Sequence, residues 1–183
     1  MTQTPSTKQW ETELLNVSMP RWDDLPEIEI YMDQLVKIVD RYTSALQLDH
    51  SKPITPAMIN NYVKLKLVPK PVKKKYGKNH LARIIVITLL KQAFDIPAIK
   101  SGIEFQIHST NAKDAYNFFC DHLESTIRWF IIKENETITI EHIKHGYAPI
   151  QMACTTFIAK LITENNLSDL LTQQVTTGET IND

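Results

Sequence analysis

The chain has 183 residues, of which 43% are apolar and 22% are charged, and its formal net charge is −1. This composition is typical of a folded soluble protein, and a total of four glycines argues against a turn-rich β-fold. The longest apolar run, at residues 84–90, is far shorter than the roughly 20 residues of a membrane span. Residues 1–20 are polar and lack the apolar core of a secretory signal. We therefore expect a cytoplasmic protein without a membrane segment.

Apolar residues recur at intervals of three and four along most of the chain, and this periodicity predicts an all-α fold. The predicted helices cover residues 8–17, 26–48, 56–66, 78–94, 96–105, 112–133 and 147–165. A turn is expected at 107–111. Segment 138–143 alternates β-branched residues and is left open between a strand and a helix.

Capping residues predict where two of these helices begin. Asp24 is the expected N-cap of the long second helix, whose buried face should include Ile28 and Tyr31. Thr55 followed by Pro56 is a strong start signal for the third helix, because threonine caps well and proline suits the first helical turn.

The near-zero net charge hides a strongly basic window at residues 51–94. This window contains ten Lys or Arg residues and no Asp or Glu, whereas the rest of the chain contains ten basic and 21 acidic residues. Such a separation of charge directs one part of a molecule toward a polyanion.

Within the basic window, the third helix is followed directly by a lysine-rich arm at residues 68–77, which is expected to form a small β arm. The helix should turn Asn60, Asn61 and Lys64 outward, where amides can pair with adenine edges in the major groove of DNA. Nearby lysines can neutralise phosphates, and the expected contacts are Lys66, Lys70, Lys73, Lys74, Lys75 and Lys78. Tyr76 either bonds a phosphate or packs the arm onto the core.

Four short motifs resemble those of domain-of-unknown-function family 1836. They are MPRW at 19–22, YMDQ at 31–34, MINNYVK at 58–64 and KKKY at 73–76. The resemblance spans about residues 15–124. It implies a bacterial source among the low-GC Gram-positive group, but it implies no activity, because the family has none assigned.

A more distant similarity is to MerR-like winged helix-turn-helix proteins. Residues 60–62 fall where the groove-binding run of those proteins lies, 68–76 fall where the wing lies, and 94–99 are similar to the start of the next helix. This resemblance implies a transcriptional regulator that binds double-stranded DNA as a homodimer.

The expected fold class is therefore all-α, with a winged helix-turn-helix-like N-terminal part, a small β arm, and a C-terminal helical hairpin or bundle. The DNA-binding part should cover residues 1–106. Residues 107–171 should form the C-terminal part, suited to dimerisation or sensing, and residues 172–183 a disordered tail.

The first alternative to DNA binding is a non-enzymatic interaction module, in which the basic arm docks an acidic protein partner. The second is an RNA-binding protein, against which the lack of exposed aromatic pairs for stacking argues. We expect no enzyme and no cofactor, because spacing assembles no set of acid, base and nucleophile. His142 and His145 have a usable spacing for a metal but lack a third ligand, so no metal site is expected. Cys120 and Cys154 are expected to be small buried residues and not a disulfide.

Overall fold

The computed structural model describes residues 7–48, 51–131 and 146–177. Within these ranges the chain is mostly helical, as the periodicity predicted. The α-helices are α1 (Thr7–Leu15), α2 (Met32–Thr43), α3 (Pro56–Lys64), α4 (Lys78–Leu90), α5 (Ile96–Ser109), α6 (Ala112–Ile131) and α7 (Ala148–Thr177). Short 3-10 turns cover Trp22–Asp24 and Ser44–Leu46. In the described ranges β-pairing is limited to two isolated bridges, and none of the helices there combines the length and apolar character that crossing a membrane requires.

The second helix starts later than expected, at Met32 instead of residue 26. The reason is a backbone pairing between Ile30 and Tyr76, whose two N–H···O bonds measure 2.9 and 2.8 Å. This antiparallel bridge holds the chain before α2 extended. Ile28 and Tyr31 are consequently 75% and 53% exposed, so their expected burial in a helix face was wrong.

Other helix ends and one cap also differ from expectation: α2 ends at Thr43 instead of residue 48, and α4 ends at Leu90 instead of residue 94. Helix α5 continues through most of the expected turn to Ser109, and α7 continues to Thr177, which places 172–177 of the expected tail inside a helix. Asp24 does not cap α2: its carboxylate accepts a 2.9 Å hydrogen bond from the backbone N–H of Arg21. Segment 138–143, the two histidines at 142 and 145, and residues 178–183 lie outside the described ranges.

Helix α4 lies at the centre of the core, and α2, α5, α6 and α7 all pack against it. Burial on every side explains its nearly continuous apolar sequence. One hydrophobic cluster extends from Leu14 in α1 to Leu161 in α7 and includes buried residues on both sides of the predicted boundary at 106. Cys120 and Cys154 are buried within it as free thiols, as expected.

The N-terminal segment is fastened to α6 by a charged pair. Both terminal nitrogens of Arg21 donate to the carboxylate of Glu124, at 2.8 and 2.9 Å. Glu124 also accepts a 2.8 Å hydrogen bond from the backbone N–H of Met19, and Asp121 lies 2.8 Å from the guanidinium of Arg21. These contacts hold the extended residues before α2 against the helix.

Candidate nucleic-acid interface

Helix α3 presents the three residues that were expected to face a DNA groove. Thr55 caps the helix by accepting a hydrogen bond from the backbone of Met58, 3.3 Å away, and Pro56 occupies the first turn. The side chains of Asn60, Asn61 and Lys64 are all exposed. Their spacing places them on one face of the helix, away from the side that packs on the core.

The core side of α3 is formed by Ile59 and Tyr62, which are both buried. Burial raises the pKa of the Tyr62 hydroxyl. The helix is therefore held along one face, and its opposite face is left for contact with a ligand.

Helix α3 ends in a Schellman motif built around a lysine. The backbone N–H of Leu67 donates to the carbonyl of Tyr62 at 3.0 Å, and that of Lys66 donates to Val63 at 3.1 Å. Lys66 has a left-handed φ of 60°, at the position where glycine is usual. Leu67 and Val68 then turn into the core, while Lys66 stays exposed.

The arm is a tight reverse turn instead of a β arm with strands. Val72 and Lys75 form an isolated antiparallel bridge, with a 2.9 Å hydrogen bond from the backbone N–H of Lys75 to the carbonyl of Val72. The two residues between them, Lys73 and Lys74, have φ values of 48° and 63°. Two consecutive left-handed residues are the mark of a type I′ turn, for which Asn-Gly is preferred. Both lysine side chains are exposed at its tip.

Tyr76 anchors the arm to the core, which is the packing role that the sequence left open. Its side chain is 4% exposed, so it belongs to the core and not to the contact surface. Its ring meets His80 edge-on, with centroids 5.5 Å apart. Nδ1 of His80 accepts a 3.0 Å hydrogen bond from the backbone N–H of Gly77, and burial lowers the pKa of this imidazole. The sequence did not predict a role for His80, because a single histidine outside any motif does not indicate one.

Lys78 does not join the exposed lysines. It forms an ion pair with Glu27, and its side chain is only 14% exposed. The expectation that Lys78 contacts phosphate is therefore not supported by its surroundings, because an acidic partner within the chain already neutralises it.

Two further cations of the basic window serve the fold. Arg83 donates to the carbonyl of Leu67 at 3.0 Å and to Oδ1 of Asn79 at 3.1 Å. Nζ of Lys91 lies 3.5 Å from the carbonyl oxygen of Lys52. Burial lowers the pKa of both the Arg83 guanidinium and the Lys91 ammonium. The basic window therefore contains an inner and an outer set of charges.

The outer set, which we call the basic face, lies on the outer side of α3 and in the arm that follows Asn60 and Asn61 in the chain. Most of its lysines are exposed, and Lys75 is half-buried with its ammonium 5.7 Å from the centre of the Tyr31 ring. The lysines of the basic face are Lys64, Lys66, Lys70, Lys73, Lys74 and Lys75. In the described ranges no three His, Cys, Asp or Glu side chains lie close enough together to hold a metal ion.

The comparisons with known proteins gave one match. The model of a family described as "Domain of unknown function (DUF1836)" matches residues 20–119, which is more than half of the chain and includes the whole basic face. No curated protein and no solved structure matched the chain.

Proposed function

We propose that this chain, which belongs to the DUF1836 family, binds double-stranded DNA through the basic face. The outer side of α3 would enter the major groove, which admits one helix and presents adenine edges to the amides of Asn60 and Asn61. The lysines of the basic face would neutralise phosphates and release counterions.

The observation that carries this proposal is the backbone conformation of three lysines. Among the described residues other than glycine, those with a left-handed φ are Lys66, Lys73 and Lys74. Most side chains are disfavoured in this conformation, whereas glycine has no Cβ and asparagine can bond locally to the backbone, so either would suit all three sites better. Lysine at each of them indicates a requirement for positive charge at these exposed points.

The finer part of the proposal is that the protein is a transcriptional regulator of the winged helix-turn-helix kind, resembling MerR-like proteins. Its support is the order of elements, since an exposed helix is followed directly by a protruding turn and then by a core helix. In this interpretation the type I′ turn at Lys73 and Lys74 takes the place of a wing. A homodimer, a bacterial Gram-positive source and a cytoplasmic location belong to the same proposal.

The test removes charge without disturbing the backbone. The double variant Lys73→Asn/Lys74→Gly places Asn-Gly in the type I′ turn, so it should fold at least as well as the parent protein. Binding to random-sequence duplex is measured by fluorescence anisotropy at several salt concentrations. If all six lysines of the basic face contact phosphate, the slope of log K against log salt is about −5 for the parent and about −3.5 for the variant.

The control is Lys100→Gln/Lys113→Gln, which removes the same charge from α5 and α6, where the two lysines pair with Glu104 and Asp23, and it should leave the slope unchanged. Equal slopes for the parent and the turn variant would contradict the proposed contact. Absence of binding even at low salt would instead favour the acidic protein partner, for which the basic face would serve as bait.

A further inference from the structure

A cavity with a volume of about 240 Å³ lies between α4, α5, α6 and the start of α7. Its wall is almost entirely apolar, and small side chains on all four helices create the space. These small residues are Ala82, Ala98, Gly102, Ala112, Ala115 and Ala153. An apolar cavity of about 150 Å³ holds benzene, so this one has room for a substituted ring or a short acyl chain.

One buried polar side chain in the wall lacks hydrogen-bond partners. Gln106 is 2% exposed, and neither its Oε1 nor its Nε2 makes a hydrogen bond. A buried amide without partners is strongly disfavoured, and a leucine of similar size would fill the position without that penalty. The unpaired amide therefore points to a partner supplied from outside the chain.

Gly102 gives a second, independent indication. It lies in the middle of α5 and lines the cavity. A Cβ added there would meet no atom within 4 Å, and its backbone is not in the left-handed region, so neither space nor conformation requires glycine. Glycine weakens a helix relative to alanine. Its presence here has the effect of leaving the cavity open.

We infer that the cavity binds one small, uncharged, mostly apolar molecule with a head group that both donates and accepts a hydrogen bond, such as a primary amide or a hydroxyl. Such a head matches the donor and the acceptor of Gln106, whose buried amide would turn toward the cavity to meet it. The charged group in the wall, Arg83, donates to Leu67 and Asn79, and the carboxylate of Glu104 already opposes its positive charge, so an uncharged ligand suits the site.

The test uses three matched probes: 4-ethylbenzamide, ethylbenzene and 4-ethylbenzoate. Thermal unfolding of the full chain is measured with each probe. The amide should raise Tm by about 3 °C or more at a tenfold excess over its Kd, and ethylbenzene should raise it less. The benzoate should have no effect, because its carboxylate would be buried and Glu104 already opposes the charge of Arg83.

Two variants assign the effect to this cavity. Gly102→Leu should fill the space and abolish the amide shift, whereas its control, Gly102→Ala, should keep the shift. Gln106→Leu should raise the Tm of the free protein, keep the ethylbenzene shift and lose the preference for the amide.

Three outcomes would overturn the inference. The first is that no probe changes Tm. The second is that Gln106→Leu binds the amide as well as the parent does, or that only the benzoate binds. The third is that Gly102→Leu sharply lowers Tm and the probes have no effect on the parent protein. In that case the side chains of the parent protein already fill the space.

Discussion

Arg83 donates a hydrogen bond from Nη1 to the carbonyl oxygen of Leu67, at a distance of 3.0 Å. Arg83 also lines the cavity. Leu67 closes the turn that presents Lys66, because its N–H bonds back to Tyr62. A single side chain therefore links the interior of the helical bundle to the surface proposed to meet DNA.

Replacing Arg83 with methionine should loosen this turn. The variant keeps the apolar stem but leaves the carbonyl of Leu67 without its donor, which costs about 1–3 kcal/mol of unfolding free energy. Urea denaturation measures this loss, and DNA affinity should fall several-fold because Lys66 is held less firmly. The exposed residue Arg128 supplies the control, and equal stability of the Arg83→Met and Arg128→Met variants would contradict the role of the hydrogen bond.

Replacing Lys66 with glycine should separate stability from binding. Glycine suits the left-handed position of the Schellman motif, so the variant should be about 0.5–1 kcal/mol more stable in urea. The salt slope of DNA binding should become shallower by about 1, because one phosphate contact is lost. Lys64→Gly serves as comparison: it has the same charge change but lies within α3, where glycine destabilises by about 1 kcal/mol. If Lys66→Gly and Lys64→Gly lower the free energy of unfolding by the same amount, lysine is not disfavoured at position 66.

The Asn60→Ala/Asn61→Ala double variant should distinguish sequence recognition from attraction to phosphate. Each amide that pairs with an adenine contributes about 1–3 kcal/mol of discrimination. The double variant should therefore lose at least about tenfold in affinity for a site selected from random duplexes. Its affinity for unselected DNA and its salt slope should stay as in the parent protein. An equal loss of affinity for selected and unselected DNA would show that Asn60 and Asn61 do not contact bases.

The stability of the fold should depend on pH through His80. Burial lowers the pKa of His80 in the folded chain below its ordinary value of 6.5, while the nearby Glu29 opposes and Arg83 reinforces the shift. The unfolded chain then binds more protons, so this contribution is complete above about pH 6.5 and is lost as the pH falls through the folded pKa. Protonation of Nδ1 would also break the hydrogen bond from Gly77.

Urea denaturation from pH 5 to 8 measures this dependence. His80→Gln should flatten the part of the profile below pH 6.5, whereas His108→Gln, on the exposed side of α5, should not. Identical profiles for the parent and His80→Gln would show that His80 does not carry the effect.

The helices that were predicted well are those with local signals. Helix α3 was found from Thr55, Pro56 and the apolar spacing, all of which act within a few residues of the chain. The start of α2 was wrong because Ile30 pairs with Tyr76, a residue far along the sequence. No periodicity within a single segment reports such a partner.

The candidate site shows the same division. The exposure of Asn60, Asn61 and Lys64 followed from the periodicity of one helix. The withdrawal of Lys78 into an ion pair with Glu27 depended on a distant acid. The cavity was beyond reach for the same reason, because it exists only where four helices meet.

The charged pair between Arg21 and Glu124 bears on where an autonomous unit of this protein can be cut. The family match ends at residue 119, inside α6, so a fragment with those limits keeps Arg21 and discards its acceptor. It would also expose apolar residues of α4 and α6 that α7 covers in the intact chain. We therefore expect that the matched segment of this chain folds only together with the rest of α6 and with α7, and a fragment or chimera should include both helices.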